Sequence, residues 1–124
     1  MVARRPLPPR KELLLGEMAE WLKAMADPMR LRILHALKDG ERCVNDLLEG
    51  VGCSQANVSK HLSVLRHAGL VGSRRDGVNV YYRIADPAVF VICETVCDSL
   101  ERTIDTRRTG LTEGRVALKG ADAR

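Results

Sequence analysis

The sequence predicts a mostly α fold of five helices carrying one small β-hairpin. Three observations predict it. Apolar residues recur at helical spacing in several stretches, two of them opened by an Asp-Pro pair. Residues 44–68 read as a short helix, a glycine turn and a helix with a polar face. Two strand-like runs meet at Asp76-Gly77, and such a pair between such runs is a strong hairpin signal.

Each element has its own reason. From Glu12, the residues Leu14, Leu15, Met18, Trp21, Leu22 and Met25 mark one face of a first helix ending near Ala26. Asp27 offers a side-chain cap to the next helix, and Pro28 stands at the first helical position, where its missing N–H costs nothing. Leu31, Ile33, Leu34 and Leu37 are the apolar set of this second helix, which stops at Asp39-Gly40. A short third helix fits residues 44–49, with Val44, Leu47 and Leu48 inward, and residues 50–53 read as a turn. Ser54 caps a fourth helix running to about Ala68, with a narrow apolar stripe of Val58, Leu62 and Leu65. Gly69 ends it, and residues 70–75 and 78–84 form the hairpin. Asp86-Pro87 repeats the capping device and opens a fifth helix to about Thr106, with Val89, Ile92, Cys93, Val96, Cys97, Leu100 and Ile104 on one stripe. The third and fourth helices make a helix-turn-helix, and the hairpin after them makes a wing.

The expected organisation is a flexible basic arm over residues 1–11, one domain over 12–105 and a disordered tail over 106–124. Three prolines and four basic charges argue for the arm, and Gly110, Gly114 and Gly120 without long periodicity argue for the tail. A chain of 124 residues supports one modest core. The longest apolar run, residues 88–93, is far short of the ~20 residues a membrane span needs. The N-terminus has positive charge with no apolar stretch behind it, so it does not read as a secretory signal. The four cysteines are expected as thiols in a cytoplasmic protein.

The net charge of +4 is unevenly spread. Residues 54–84 hold Lys60, Arg66, Arg74, Arg75 and Arg83 against a single acid, Asp76. Residues 12–53 and 85–105 are acidic overall. One basic segment on an acidic body is the footprint of a surface that meets phosphates.

Three stretches carry a resemblance: LKAMADPMRLRILHAL (22–37), CSQANVSKHLSVLRHAGLV (53–71) and RRDGVNVYYRI (74–84). Together they resemble the ArsR/SmtB metalloregulatory repressors, over about residues 12–105. The resemblance implies a winged-helix homodimer joined through its first and fifth helices. It also implies binding of double-stranded operator DNA while a sensor site is empty, and release when it fills.

The residues agree with that implication. Gln55 and Asn57 can pair bidentately with adenine, Ser59 and Ser63 can donate or accept, and Lys60 can meet guanine or phosphate; Ser54 sits at the helix start. Arg74 and Arg75 on the wing would follow a phosphate track or enter a minor groove. Burial of Met18, Trp21, Val89, Val96 and Leu100 between two copies would hide the apolar faces of the first and fifth helices. Twofold symmetry then sets two recognition helices ~34 Å apart, so the operator should be an imperfect inverted repeat.

The sensor departs from the best-known members. The zinc-binding pattern, Asp-x-His followed by His-x-x-Glu, keeps Asp86 but has Ala88, Ser99 and Arg102 at its other positions. The arsenic-sensing pattern, Cys-Val-Cys-Asp-Leu, appears as Cys43-Val44-Asn45-Asp46-Leu47, with one thiol lost. Cys93 and Cys97 stand at i and i+4 of the fifth helix, close enough to share one ion, with Cys43 as a candidate third donor. Thiolates favour soft acceptors, such as As(III), as a reversible inducer; no obligatory cofactor is implied. Two other readings stay open: buried small hydrophobes, or a switch for oxidants or reactive sulfur. The second is weakened by His35, which occupies the position where related redox sensors carry a cysteine.

An enzyme is not expected, since no phosphate loop, Cys-x-x-Cys pair or nucleophile–base arrangement is present. A winged helix used only for protein contacts is the other binding class. It would not need the polar face of residues 55–63 together with the basic segment.

Overall fold

The computed structural model describes residues 8–122, and the side chains of residues 8–119. The first seven residues of the expected basic arm lie outside the described residues. The chain divides into two compact units, one ending at Val89 and one beginning at Phe90.

The first unit contains α1 (Pro9–Met25), α2 (Pro28–Ala36), β1 (Arg42–Cys43), α3 (Val44–Val51), α4 (Gln55–His67), β2 (Val71–Asp76) and β3 (Asn79–Ile84). Its core is Ile33, Leu34 and Leu37 of and after α2, Leu47 and Val51 of α3, Val58, Leu62 and Leu65 of α4, then Leu70 and Val71. Fully burying such a side chain contributes about 1.5–3 kcal/mol. The three buried positions of α4 are the narrow stripe expected from its sequence, which leaves the rest of that helix exposed.

Local chemistry fixes the helix ends. The Asp27 carboxylate accepts from the backbone N–H of Met29 at 2.8 Å and of Arg30 at 3.2 Å, closing the first turn of α2. Arg30 then reaches back across the α1–α2 corner. Its Nε donates to the Ala24 carbonyl at 2.6 Å and its Nη2 to the Lys23 carbonyl at 3.2 Å, satisfying carbonyls at the end of α1. Its Nη1 lies 3.3 Å from Nδ1 of His61 on α4. One guanidinium thus ties three helices, and His61 is half-buried against it. Arg42 closes α2 in the same way, donating from Nε to the Ala36 carbonyl at 2.8 Å.

The backbone N–H of Arg30, more than any other group, holds the Asp27 carboxyl below its ordinary value. A lowered folded-state pKa means stability that is present above the unfolded carboxylate value of about 3.9 and is lost as pH falls through the folded one. Asp27→Asn keeps a capping oxygen but removes the charge. The stability advantage of wild type over Asp27→Asn should therefore shrink on acidification below about pH 4. Urea titrations at stepped pH measure it; a constant gap would contradict the assignment.

The structure corrects four boundaries. α1 starts at Pro9, inside the expected arm, because proline is preorganised for a first helical turn. α3 continues through Gly50 and Val51, whose side chain is buried, and stops at Gly52 with φ +69°. That left-handed residue is a helix-ending position which glycine takes without steric cost. A two-residue strand, β1, adds a third strand beside β3, giving the antiparallel order β1-β3-β2 with Arg42 opposite Tyr82 and Cys43 opposite Tyr81. The hairpin pairs Asp76 with Asn79 across Gly77-Val78, and Gly77 takes φ +63° at the first central position.

The fourth boundary is the tail. α5 (Ala88–Asp122) does not stop near Thr106. The stretch from Arg107 to Lys119 has no proline and is rich in Arg, Leu, Glu, Ala and Lys, all good helix formers. An interior glycine costs about 1 kcal/mol, which an already nucleated helix absorbs. No helix among the described residues is long and apolar enough to cross a membrane.

Candidate nucleic-acid interface and thiol pair

The helix-turn-helix presents α4 through a cap and a stripe. Ser54 Oγ accepts from the Asn57 backbone N–H at 3.3 Å. Val58, Leu62 and Leu65 then press one side of the helix into the core. At about 100° per residue, Lys60 and Ser63 stand opposite that stripe, with Ser59 beside them. Gln55 and Asn57 fall on the two flanks of the exposed arc. All five are exposed. Ala56 and His67 share the outermost face, which the sequence reading missed. Their signal was the same wheel, and Ala56 matters because a small side chain lets the helix approach a surface closely.

The wing separates its two arginines. Alternation along β2 sends Arg74 and Arg75 to opposite faces. Arg74 is engaged within the protein. Its guanidinium donates from Nε to both Glu41 carboxylate oxygens at 2.9 Å and pairs through Nη2 with the same group. It also lies over the Tyr81 ring, 4.7 Å from its centroid. The hydrogen bonds from Arg74 lower the Glu41 carboxyl, and Glu41 in turn raises the Arg74 guanidinium. Arg74 therefore ties Glu41 to the wing. Arg75 and Lys60 are exposed and have no ion-pair partner among the described residues. On the Arg74 face, the Arg83 guanidinium crosses Gly72 so closely that an added Cβ would stand 2.9 Å from it.

The apolar faces expected at an interface divide. Val89 is 1% exposed, so it belongs to the core of the first unit rather than to a docking face. It sits in the first turn of α5, before the break between units, where tertiary packing claims it. Trp21 is half-buried on α1, beside exposed Met18 and Leu22. On α5, Val96, Leu100 and Ile104 are each half or more exposed.

Cys93 and Cys97 lie within the same arc of α5 as those three residues. Cys93 is half-buried and Cys97 exposed; neither is in a disulfide. Burial, and secondarily the neighbouring Cys97, push the Cys93 thiol up. Cys43 is in the first unit, on β1, and Cys53 precedes α4. Among the described residues, no group of three or more His, Cys, Asp or Glu side chains is placed to hold a metal ion.

Residues 27–73 match the family described as bacterial regulatory protein, arsR family. A transcriptional repressor SmtB homolog of Synechocystis is 44% identical over 87 residues, covering 70% of this chain and 66% of that protein. A probable mercury resistance operon repressor of Streptomyces lividans is 44% identical over 71 residues, covering 57% of each. The chain thus spans less than two thirds of both relatives. A homodimeric winged helix-turn-helix DNA-binding domain from Mycobacterium bovis, a possible ArsR-family transcriptional regulator, superposes with a TM-score of 0.70 at 37% identity. That match covers 80% of this chain and 95% of the neighbour. With a capped helix-turn-helix, a clamped wing and these relatives in agreement, the chain belongs to the ArsR family of bacterial regulatory proteins and has its winged helix-turn-helix fold.

Proposed function

We propose that the protein is a homodimeric transcriptional repressor that binds an imperfect inverted repeat in double-stranded DNA. It leaves that operator when a thiol-based sensor takes up a thiophilic metal or metalloid. The observation that carries the DNA half is the exposed polar face of α4 opposite its buried stripe, together with the exposed cation of Arg75. A major groove admits a helix, and short polar side chains reach base edges there. Exposed apolar arcs on α1 and α5 support the dimer. The names of relatives, one an SmtB homolog and one a mercury-resistance repressor, support a metal-linked regulator.

The experiment is a titration of the purified chain against its own promoter DNA and against random duplex. Gln55→Ala should reduce promoter preference while leaving random-duplex affinity within about twofold, because a bidentate base contact is worth about 1–3 kcal/mol of discrimination. Equal binding of both duplexes by wild type would remove the operator from the proposal.

A further inference from the structure

We propose that His61 is a positioning residue for DNA recognition. As the acceptor of a hydrogen bond from Arg30 it sets the angle of α4 against α1 and α2, and it releases that angle when the ring is protonated. The consequence for DNA rests on the repressor reading above; the link between the helices does not.

The proton count carries the argument. Arg30 Nη1 lies 3.3 Å from His61 Nδ1. A guanidinium has donors only, so Nδ1 accepts and the proton of the neutral ring sits on Nε2. An imidazolium carries a proton on both nitrogens and keeps no acceptor, so protonation sets two donors against each other. Charges of both signs surround the ring. The Asp27 carboxylate at the start of α2 attracts a charged His61, and the Arg30 guanidinium repels it. On α1, Lys23 gives its carbonyl to Arg30 while its ammonium pairs with Glu20 at 3.4 Å. On α4 itself, Lys60 is adjacent and exposed. These groups decide where the ring titrates; the loss of the acceptor follows wherever that is.

Arg30 cannot follow the ring if it turns away. Its Nε and Nη2 are held by the Ala24 and Lys23 carbonyls, and its backbone N–H by Asp27. The guanidinium is thus a fixed point on the α1–α2 corner, and α4 has no other of that kind. Val58, Leu62 and Leu65 seat the helix by apolar burial, which has no direction. Among the described residues, the Arg30–His61 contact is the one side-chain hydrogen bond between α4 and another element. Asn57 stands one turn before His61 on the same flank, so a roll of α4 about its stripe moves Asn57 directly. α1 also carries part of the apolar arc offered to the second copy. Its angle to α4 therefore sets how two recognition helices meet half-sites one DNA turn apart.

The test compares the full chain as wild type, H61N and H61L at about pH 8 and about pH 5.5, a span over which histidine changes charge. Asparagine places an oxygen near the Nδ1 position that accepts and does not titrate; leucine fills the volume and accepts nothing. The readout is the ratio of promoter to random-duplex affinity, in which the general gain of positive charge in acid cancels. At the higher pH, H61N should keep the wild-type ratio within about twofold, and H61L should lose about tenfold, the worth of one hydrogen bond from a charged donor. At the lower pH, wild type should fall to the H61L ratio while H61N holds. Nitrogen-resolved NMR without DNA is the second measurement. The neutral His61 ring should carry its proton on Nε2, and the α4 amides around Asn57 should move with its titration in wild type and stay in H61N. A proton on Nδ1 of the neutral ring, or α4 amides that move equally in H61N, overturns the link. An equal acid loss in wild type and H61N, or an H61L ratio equal to wild type at both pH values, overturns the consequence for DNA. If wild type prefers promoter DNA at neither pH, the repressor reading has failed while the NMR data still decide the link.

Discussion

Leu100→Asp is expected to give a folded monomer whose operator affinity is lower by ~10²–10⁴-fold, the factor lost when two linked binding modules become one. Leu100 is 57% exposed, so an aspartate there meets water in the single chain and leaves the core of Ile33, Leu62 and Leu65 untouched. Between two copies the same carboxylate would be buried without a partner, at a cost of several kcal/mol. Leu100 is a cleaner probe than Trp21, which is already half-buried within the chain. Sedimentation and circular dichroism establish a folded monomer; a promoter titration reads the affinity. A monomer that keeps full operator affinity would show that the dimer is not the binding unit.

What the sequence made legible is what short-range chemistry decides. The Asp27 and Ser54 caps, the α4 stripe and the turn at Asp76-Gly77 each lie within a few residues, and the structure has all of them. Pro8-Pro9 is also a local signal, a proline at the start of a helix, which the neighbouring charges obscure. β1 was not legible because two residues carry no periodicity; its existence depends on β3, almost forty residues later. Val89 misled because an apolar stripe does not state which partner buries it. The tail is less legible because its three glycines stand among good helix formers that outweigh them.

The site shows the same division. Exposure of Gln55, Asn57, Ser59, Lys60 and Ser63 followed from the stripe of one helix. The role of Arg74 did not, because Glu41 is 33 residues away and only the fold brings it near. Two adjacent arginines read alike in sequence, and strand alternation gives them different work.

That difference sets the last prediction. Operator affinity should fall about 100-fold between 50 and 200 mM salt if Lys60 and Arg75 of each copy neutralise one phosphate apiece, since each contact contributes ~0.9 to the logarithmic slope. Arg75→Ala removes two such contacts per dimer, so the slope should become shallower by about 1.8. Arg74→Ala should behave otherwise. Its cation is already matched by Glu41, so few counterions are released through it, and the slope should stay near the wild-type value. Affinity should still drop, because the wing loses the clamp that joins Glu41, Arg74 and Tyr81. Glu41→Gln should reproduce that loss of wing order, seen as faster amide exchange across β2 and β3. It also frees the Arg74 charge, so its slope should steepen rather than flatten. Equal flattening by Arg74→Ala and Arg75→Ala would mean that both reach phosphate and that the clamp opens on DNA.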